Sequence, residues 1–466
     1  MRNIISFTFI LLFAFCSSLK AQNEGNDLMK TKIIALLNLK NYKEIYALGD
    51  EKFRQDVTEN QLLELLKGTA ELGKTKKTEL LETDSENISY YRLFFKDKSL
   101  KLSLRAIGSR YDVFGLSFYK LPIIKSRTIF SSDNPLKSKL DTIVTNAVTS
   151  YISNINVAGL SVGIFYKGQS YLYNFGETQK GNHTIPTQNT KYEIGSVTKV
   201  FTGILLANAV KEGKINLQDD IRKYLKGSYP NLEFENQPVR IVNLSNHTSG
   251  LPLNPENYDQ FRFSDQSKVL EVLKRTKPQY LPGSKESYSN FAVEILGIIL
   301  ENVYHKTYSQ LVEDYIFKPY EMTNSQIKVS EKDKKMMATG YDLEGNIAPL
   351  VSDKYVKAAG GITSTTKDML LFIQNQLNVQ LETPEWLSHQ ITFGDSKKGR
   401  GLGWGISTTK KGNLKWGHAG GTDGYTSLLT IYPELSLGII LMTNNGDHDD
   451  NAFYDIEKQI YQNFNP

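Results

Sequence analysis

Two strand-rich segments far apart in the chain constrain its fold more than any other feature. Residues 157–175 contain two apolar runs around Lys167-Gly168, which is typical of a β-hairpin. Residues 426–442 contain a second pair of apolar runs around a proline turn, and residues 452–464 have helical spacing. Because helical patterns fill the middle, we expect one antiparallel sheet flanked by helices, with an all-helical subdomain inside the same domain.

The residues before this region form a separate unit by their pattern. Residues 27–39 and 42–53 have helical apolar spacing, and the apolar period then changes to two. Residues 121–136 contain prolines and a polar run, which suits a linker. The sequence thus predicts an α+β chain: a small accessory domain over 22–120, made of helices and a curved sheet, and a larger domain over 137–466.

The order of elements in the accessory domain resembles the cone-shaped fold of the nuclear-transport-factor/ketosteroid-isomerase type. No acid, base or metal cluster stands out in that part of the sequence. We therefore expect a binding or spacer module there rather than a second catalytic domain.

The single cysteine lies in a predicted leader. Residues 4–15 are almost wholly apolar but too short to span a bilayer, so residues 1–21 are predicted to be a secretory signal cut after Ala21. The alternative is a lipoprotein signal that lipidates Cys16, although a small residue normally precedes such a cysteine and Phe15 stands here. Both interpretations place the protein outside the cytoplasm, in the periplasm or secreted.

The composition argues against several classes of function. The net charge of +5 comes from 55 Lys and Arg against 50 Asp and Glu spread over 466 residues, so neither a nucleic-acid nor a membrane-binding patch is indicated. No further stretch is apolar enough for a transmembrane helix. The 6 histidines lack the spacing of a zinc motif, and neither a metal nor another cofactor is expected. The expected partner is a small-molecule or peptide substrate.

A serine and a lysine three residues apart, Ser196 and Lys199, form the strongest chemical motif. They precede an apolar run that Gly213 ends, so Ser196 is predicted to lie in the first turn of a buried helix. Residues three apart share a helix face, and a lysine whose charge burial disfavours can act as the base for a serine. The helix N-terminus adds N–H donors for an oxyanion. A capping serine beside a solvated lysine is the alternative.

Tyr288, Ser289 and Asn290 lie on a predicted loop before an apolar helix over 291–300. Such a tripeptide can direct side chains into one cleft. Tyr288 can shuttle the proton of the serine, and Asn290 can hold the lysine ammonium and a substrate amide. The alternative is an interfacial tyrosine followed by an N-cap pair.

A third motif, His418-Ala419-Gly420-Gly421, precedes the strand predicted over 426–432. Its glycines let a substrate backbone approach a strand closely, which makes His418 and Gly420 candidates for substrate binding. Gly421 offers an N–H as an oxyanion donor beside that of Ser196. A glycine-rich turn with a surface histidine is the alternative.

The three motifs together resemble the serine penicillin-recognising superfamily: class C β-lactamases, soluble DD-peptidases, D-aminopeptidases and related esterases. The resemblance covers about residues 137–464. Residues 244–252 look like the family's cleft-lining loop, and residues 359–365 and 403–405 look like structural segments. The resemblance implies a β-lactamase-like fold in which an acyl group is carried on the motif serine.

By the same resemblance, Lys199 and Tyr288 handle proton transfer to and from Ser196. Asn290 binds the substrate amide, and the N–H groups of Ser196 and Gly421 form the oxyanion hole.

One departure bears on the substrate. β-Lactamases of this type usually carry Lys-Thr-Gly on the strand that is expected to begin here with His418-Ala419-Gly420. A lysine is a permanent cation that binds the β-lactam carboxylate, whereas a histidine is only partly charged at neutral pH. The motif set therefore favours a serine hydrolase of D-amino-acid amides or peptides, including those derived from peptidoglycan, or of esters. The alternatives are a class C-type β-lactamase and a binding protein that has lost catalysis.

Overall fold

The computed structural model describes residues 24–67, 69, 72–75, 77–95, 99–119, 127, 129–254, 266–351, 357–446 and 450–465. The predicted signal over 1–21, with Cys16, lies outside these ranges. The chain divides into two compact units, Met1–Leu121 and Pro122–Pro466. Within the described ranges, we find no helix with the length and apolar character needed to cross a bilayer.

The smaller unit has helices followed by a four-stranded antiparallel sheet in the order β1-β2-β3-β4. The helices are α1 (24–38), α2 (Tyr42–Ala47), α3 (Glu51–Asp56) and α4 (Glu59–Lys67). The strands are β1 (Lys77–Thr83), β2 (Ser89–Phe94), β3 (Ser99–Ile107) and β4 (Arg110–Phe118). Alternate strand residues such as Leu93 and Leu102 are buried with Ile33 and Ile45 of the helices, as the period of two predicts.

The prediction of one helix over 42–53 is wrong, because the chain breaks there into α2 and α3. The Asp50 side chain accepts the N–H of Phe53 at 2.8 Å and so caps a new helix. Gly49 and Tyr111 form an isolated bridge at the break. A capping aspartate inside an apolar repeat is the local signal that periodicity alone does not register.

The larger unit is built on an eight-stranded antiparallel sheet in the order β11-β12-β13-β14-β15-β16-β5-β6. Its strands are β5 (Gly159–Tyr166), β6 (Gln169–Gly176), β11 (Phe393–Gly394), β12 (Gly399–Arg400), β13 (Gly405–Thr408), β14 (Leu414–Gly421), β15 (Thr426–Tyr432) and β16 (Leu437–Thr443). Strand β16 pairs with β5 along its whole length, so the two segments of the sequence that predicted strands do meet in one sheet. The predicted hairpin around Lys167 is confirmed.

Helices cover both faces of this sheet. On one face lie α5 (Lys139–Ile152) and α14 (Asp450–Phe464), which share a core with β5, β15 and β16. On the other face lie α6 (Thr198–Lys211), α9 (Asn290–Tyr304) and α12 (Thr366–Leu377), which form the larger core. The expected sheet flanked by helices is therefore what the chain forms.

Shorter elements complete the described part of this unit. They are β7 (Lys191–Glu193), β8 (Glu233–Phe234), β9 (Gln237–Pro238), α7 (Ile241–Ser245), α8 (Gln266–Leu273), α10 (Tyr308–Val312), α11 (Glu331–Lys334), β10 (Thr363–Thr365) and α13 (Pro384–Ser388). Most of the helices among them follow one another between β9 and β10, which fits the expected helical subdomain.

Strand β14 begins at Leu414, and the prediction that it begins at His418 is wrong. Residues 414–417 pair with β13, with Trp416 opposite Ile406, and residues 416–421 pair with β15. The polar and glycine residues around Gly417 hide this strand in the sequence, because they break the apolar alternation.

Candidate active site

Ser196 lies on a turn between β7 and α6. Gly195 has a φ of 49°, and residues Gly195–Val197 form one 3-10 turn before α6 begins at Thr198. The prediction that Ser196 lies within the first turn of the helix is thus corrected: the left-handed glycine turns the chain, and the serine precedes the helix. Ser196 is the one side chain in the described stretch 191–207 that is not fully buried.

Lys199 is only 1% exposed and contacts Ser196 directly. Its Nζ lies 3.0 Å from Ser196 Oγ, 2.8 Å from Asn290 Oδ1 and 2.6 Å from the carbonyl oxygen of Ala359. An amide oxygen and a carbonyl oxygen can only accept, so they bind two N–H groups of the lysine. The third position on the nitrogen faces the serine. A proton can therefore pass between Nζ and Oγ while the other two contacts stay in place.

Asn290 begins helix α9, and Ser289 is its N-cap. The Ser289 hydroxyl accepts a backbone N–H of the helix and donates to the carbonyl oxygen of Pro252 at 2.6 Å. The N-cap interpretation is thus confirmed for Ser289, whereas Asn290 reaches Lys199. Asn290 Nδ2 donates to Asn254 Oδ1 at 3.1 Å, so a substrate amide that binds this group has to displace Asn254.

Tyr288 is held in place by His247. The N–H groups of Ser287 and Ser289 donate to the carbonyl oxygen and Nδ1 of His247, at 2.7 and 3.2 Å. The ring centres of His247 and Tyr288 lie 4.3 Å apart, and Lys199 Nζ lies 4.9 Å from the centre of the tyrosine ring. Burial lowers the pKa of His247 well below its usual value, so the ring is neutral and Nδ1 is free to accept.

Strand β14 touches the Ser196 turn through backbone alone. A Cβ on Gly420 would lie 2.1 Å from the carbonyl oxygen of Ile194, and a Cβ on Gly195 would lie 2.6 Å from the backbone nitrogen of Gly421. Both positions therefore require glycine. This contact brings the N–H of Gly421 into the neighbourhood of Ser196, where the sequence predicts an oxyanion donor.

His418 is half-buried on β14, but its Nε2 is shielded from solvent. Its Nδ1 lies 2.5 Å from the carbonyl oxygen of Ala419, which assigns the proton to Nδ1. Burial, and then the charge of Lys199, lower the pKa of His418 to about 3. The prediction of a partly charged histidine at neutral pH is therefore wrong. Nε2 is an acceptor to which no described residue donates.

A cavity of about 560 Å³ joins these elements. Ser196 and Tyr288 line it from one side, and His418, Gly420 and Gly421 line it from β14. The predicted residues therefore form one site. Asn290 reaches this site through Lys199 and is not itself among the lining residues.

Cationic side chains dominate the charge around this cavity. Lys398, Arg400 and Lys415 line it, and Glu286 is the one carboxylate among the lining residues. Arg400 Nε and Nη2 lie 2.9 and 2.6 Å from Glu286 Oε1, and Lys415 Nζ lies 3.0 Å from Glu457. An anionic group on a ligand therefore meets a favourable field here.

Glu294 supports the site from one turn further along α9. Its Oε1 accepts the N–H groups of Lys357 and Ala359 at 3.0 and 2.8 Å, which fixes the loop whose carbonyl contacts Lys199. Burial raises the pKa of Glu294 to about 7. Residues 359–365, expected to be only structural, thus contribute Ala359 to the lysine's environment.

The comparisons with known proteins agree with this architecture. A family model described as Beta-lactamase matches residues 142–461. The chain is 25% identical to "Beta-lactamase" of Yersinia enterocolitica over 346 residues, which cover 65% of this chain and 86% of that protein. It is 27% identical to "Protein flp" of Staphylococcus aureus (strain MRSA252) over 326 residues, which cover 67% and 63% of the two chains. It thus spans less than two thirds of that flp protein.

Among solved structures, the "Beta-Lactamase/D-Alanine Carboxypeptidase" of Pseudomonas syringae matches with a TM-score of 0.61 and 19% identity, over 70% of this chain and 99% of that one. At this identity the likeness concerns the fold, and it confirms the expected β-lactamase-like architecture. The family model begins at residue 142, so the resemblance of the smaller unit to the nuclear-transport-factor type stays a prediction.

Proposed function

The chain belongs to the Beta-lactamase family of serine hydrolases, and on that premise we propose that it hydrolyses D-amino-acid amides or esters through an acyl-enzyme. The observation that carries the proposal is the 3.0 Å contact between Lys199 Nζ and Ser196 Oγ. Ser196 is the one partly exposed residue in the buried stretch 191–207, so a substrate can reach it.

The reaction follows from the proton positions at the site. Ser196 attacks the substrate carbonyl as its proton passes to Lys199, whose two other contacts stay in place. The N–H groups of Ser196 and Gly421 stabilise the oxyanion. Tyr288, beside Lys199, gives its phenolic proton to the leaving amine or alcohol and takes the serine's proton from Lys199 in exchange. Water then attacks the acyl-enzyme, its proton passes back along the same groups, and Ser196 leaves with a proton.

The state of His418 favours an amide substrate. A neutral imidazole whose Nε2 has no donor among the described residues can accept an N–H from a peptide or amine, but it offers no permanent charge to a carboxylate. His418 and Gly420 would then bind the substrate backbone along β14, and Asn290 would bind the amide oxygen or nitrogen when Asn254 moves away.

A class C-type β-lactamase is the second candidate. The cations that line the cavity can receive a β-lactam carboxylate in place of the lysine that β14 lacks. The Beta-lactamase named among the relatives supports the same candidate.

Labelling and a substrate panel test the proposal. A fluorophosphonate and a fluorescent penicillin should label the wild type and Ser170→Ala, which changes an exposed serine on β6, but not Ser196→Ala. A peptide ending in D-Ala-D-Ala or a p-nitrophenyl ester should turn over faster than nitrocefin. Labelling that persists in Ser196→Ala would refute the acyl-enzyme, and faster nitrocefin turnover would favour the lactamase.

We also propose that residues 1–21 direct export and that residues 22–120 form an accessory domain joined by a linker over 121–136. Intact mass of the exported protein should give a chain that begins at Gln22. A mass consistent with acylated Cys16, lost in Cys16→Ser, would establish lipidation instead.

A further inference from the structure

A second cavity of about 610 Å³ lies beside the catalytic one, on the same part of the sheet. It is enclosed by the end of α12, helix α13 and strands β13 and β14. Ile406 lines both cavities, and Trp416 of the second cavity precedes His418 of the first by two positions on β14. Residues two apart on a strand face the same side, so the two cavities are neighbours along one face.

Two of the residues that line this second cavity carry buried polar atoms without partners among the described residues. His389 is only 6% exposed, and neither of its ring nitrogens has a hydrogen-bond partner among the described residues. The indole Nε1 of Trp416 is likewise buried and unpartnered in that part of the chain. Leaving such groups unpaired in a buried position destabilises the fold. A site built this way is suited to a ligand that supplies the missing partners.

Aromatic rings form one wall of the cavity. The His389 ring stacks on Trp416 with centres 3.8 Å apart and 14° between planes, and the centre of the Trp404 ring lies 5.0 Å away with 65° between planes. Burial lowers the pKa of His389 to about 3, so the imidazole is neutral and offers one donor and one acceptor. A flat, uncharged group can continue this stack.

The two cavities differ in the charge of the residues that line them. The lining residues of the second cavity, all within the described chain, are apolar, aromatic or amide-bearing, and none carries a formal charge. Lys398, Arg400, Lys415 and Glu286 line the first. A charged ligand that entered the second cavity would lose its hydration without gaining an ion pair.

From the cavity, its unpartnered His389 and Trp416 and its uncharged walls, we propose that the enzyme has a second binding site for an uncharged aromatic ligand that carries an amide-type donor and acceptor. Its volume lies within the range of pockets that hold drug-sized molecules, roughly 300–1,000 Å³. The site differs from the catalytic cavity in the chemistry it accepts, and the ligand binds without any bond being made or broken.

The tryptophans of the chain report on this site directly. The sequence has 3 tryptophans. Trp386 and Trp416 line the cavity, and Trp404 packs against its histidine. We would titrate the full-length protein with benzamide and, as charged molecules of nearly the same size, with benzoate and benzylamine. Benzamide should change tryptophan emission saturably, and the two ions should bind at least about 10-fold more weakly.

Three variants locate the binding. Val379→Phe fills the cavity and should abolish the response, whereas Leu381→Phe, at a residue 78% exposed and outside the lining, should leave it intact. His389→Phe keeps an aromatic ring against Trp416 but removes both nitrogens, so it should weaken benzamide binding at least about 10-fold. Circular dichroism confirms that each variant is folded.

Binding of benzamide can be tested separately from the proposed reaction at Ser196. Ligand-observed NMR should detect benzamide binding equally well after a fluorophosphonate has blocked Ser196, and in Ser196→Ala. Loss of binding in the blocked enzyme would place benzamide in the catalytic cavity and overturn the proposal. Equal responses to benzamide and benzoate, unchanged binding in Val379→Phe, or no saturable binding by either method would overturn it as well.

Discussion

Two buried lysines on neighbouring elements have opposite surroundings. Lys191 on β7 is 2% exposed, and its Nζ lies 2.8 Å from Asp333 Oδ1. Lys199 at the start of α6 is 1% exposed, and the partners of its Nζ are a hydroxyl, an amide oxygen and a backbone carbonyl. One lysine is paired with a carboxylate, whereas the other is surrounded by neutral acceptors.

The two surroundings suit different roles: Lys191 forms a structural ion pair, whereas Lys199 is placed to exchange a proton with Ser196. A hydrogen bond from Lys191 is the main reason that the pKa of Asp333 falls to about 2, so this carboxyl group is ionised at neutral pH. Around Lys199, the carboxylate of Glu294 is bound to the N–H groups of Lys357 and Ala359. Because the partners of Lys199 are neutral, passing a proton between Lys199 and Ser196 breaks no ion pair among the described residues, which suits a base for Ser196.

The largest effect should follow from Lys199→Met. Removing the proposed base should lower kcat/KM for the best substrate by at least about 10³-fold, because serine without its base is a poor nucleophile. The free energy of unfolding should fall by no more than about 1–3 kcal/mol, because the oxygens of Asn290 and Ala359 lose a donor but no carboxylate loses an ion-pair partner. Steady-state kinetics and denaturant unfolding measure the two quantities, and Lys191→Met is the matched control for losing a buried lysine.

Tyr288→Phe should have the next largest effect. It keeps the ring against His247 but removes the hydroxyl, so kcat should fall by about 10²-fold or more while KM changes little. The pH profile of kcat should also change shape. A variant with wild-type kcat and an unchanged profile would remove Tyr288 from proton transfer and leave Lys199 alone in that role.

Lys191→Met should lower the free energy of unfolding and leave kcat unchanged. Asp333 would lose its ion-pair partner, and because its side chain is 22% exposed, water would offset part of the loss. We expect the free energy of unfolding to fall by about 1–3 kcal/mol, with kcat per folded molecule unchanged. The double variant Lys191→Met/Asp333→Leu should recover part of the loss. A fall in kcat as large as that of Lys199→Met would abolish the contrast between the two lysines.

Glu294→Gln should have the smallest effect, a change in the free energy of unfolding that depends on pH. Its pKa is raised from 4.5 to about 7 in the folded chain, so folding favours the protonated form. The resulting stabilisation is complete below pH 4.5 and is lost as the pH rises through about 7. Glu294→Gln should remove this decline and raise stability at pH 8 relative to the wild type, on the order of 1–2 kcal/mol. Melting temperatures at pH 5 and 8 would test the difference, and parallel shifts in both proteins would contradict it.

The sequence predicts the local parts of the site better than the long-range ones. Ser196 and Lys199 are neighbours on one turn, so their spacing alone brings them together. The cap at Ser289 is likewise a local signal. The contacts of Lys199 with Ala359 and of His247 with the Tyr288 loop join segments distant in sequence, and periodicity carries no information about them.

The elements of the fold also fall into those that the local sequence predicts and those that it does not. The hairpin β5–β6 and strands β15 and β16 have regular apolar runs and were predicted. The start of β14 and the break between α2 and α3 were missed because single polar or capping residues decide them. The neutrality of His418 also depends on burial by the assembled site, which a motif does not reveal.

The close approach of Gly195 and Gly420 has a consequence for how activity is gained during folding. The two glycines lie far apart in the sequence, one on the turn after β7 and the other on strand β14, and neither position tolerates a Cβ. The proposed oxyanion donors therefore come together only after the long intervening chain has closed the sheet. A probe that reacts with Ser196 would therefore label only molecules in which the sheet is complete. During refolding, labelling of Ser196 should recover later than the helical circular dichroism signal.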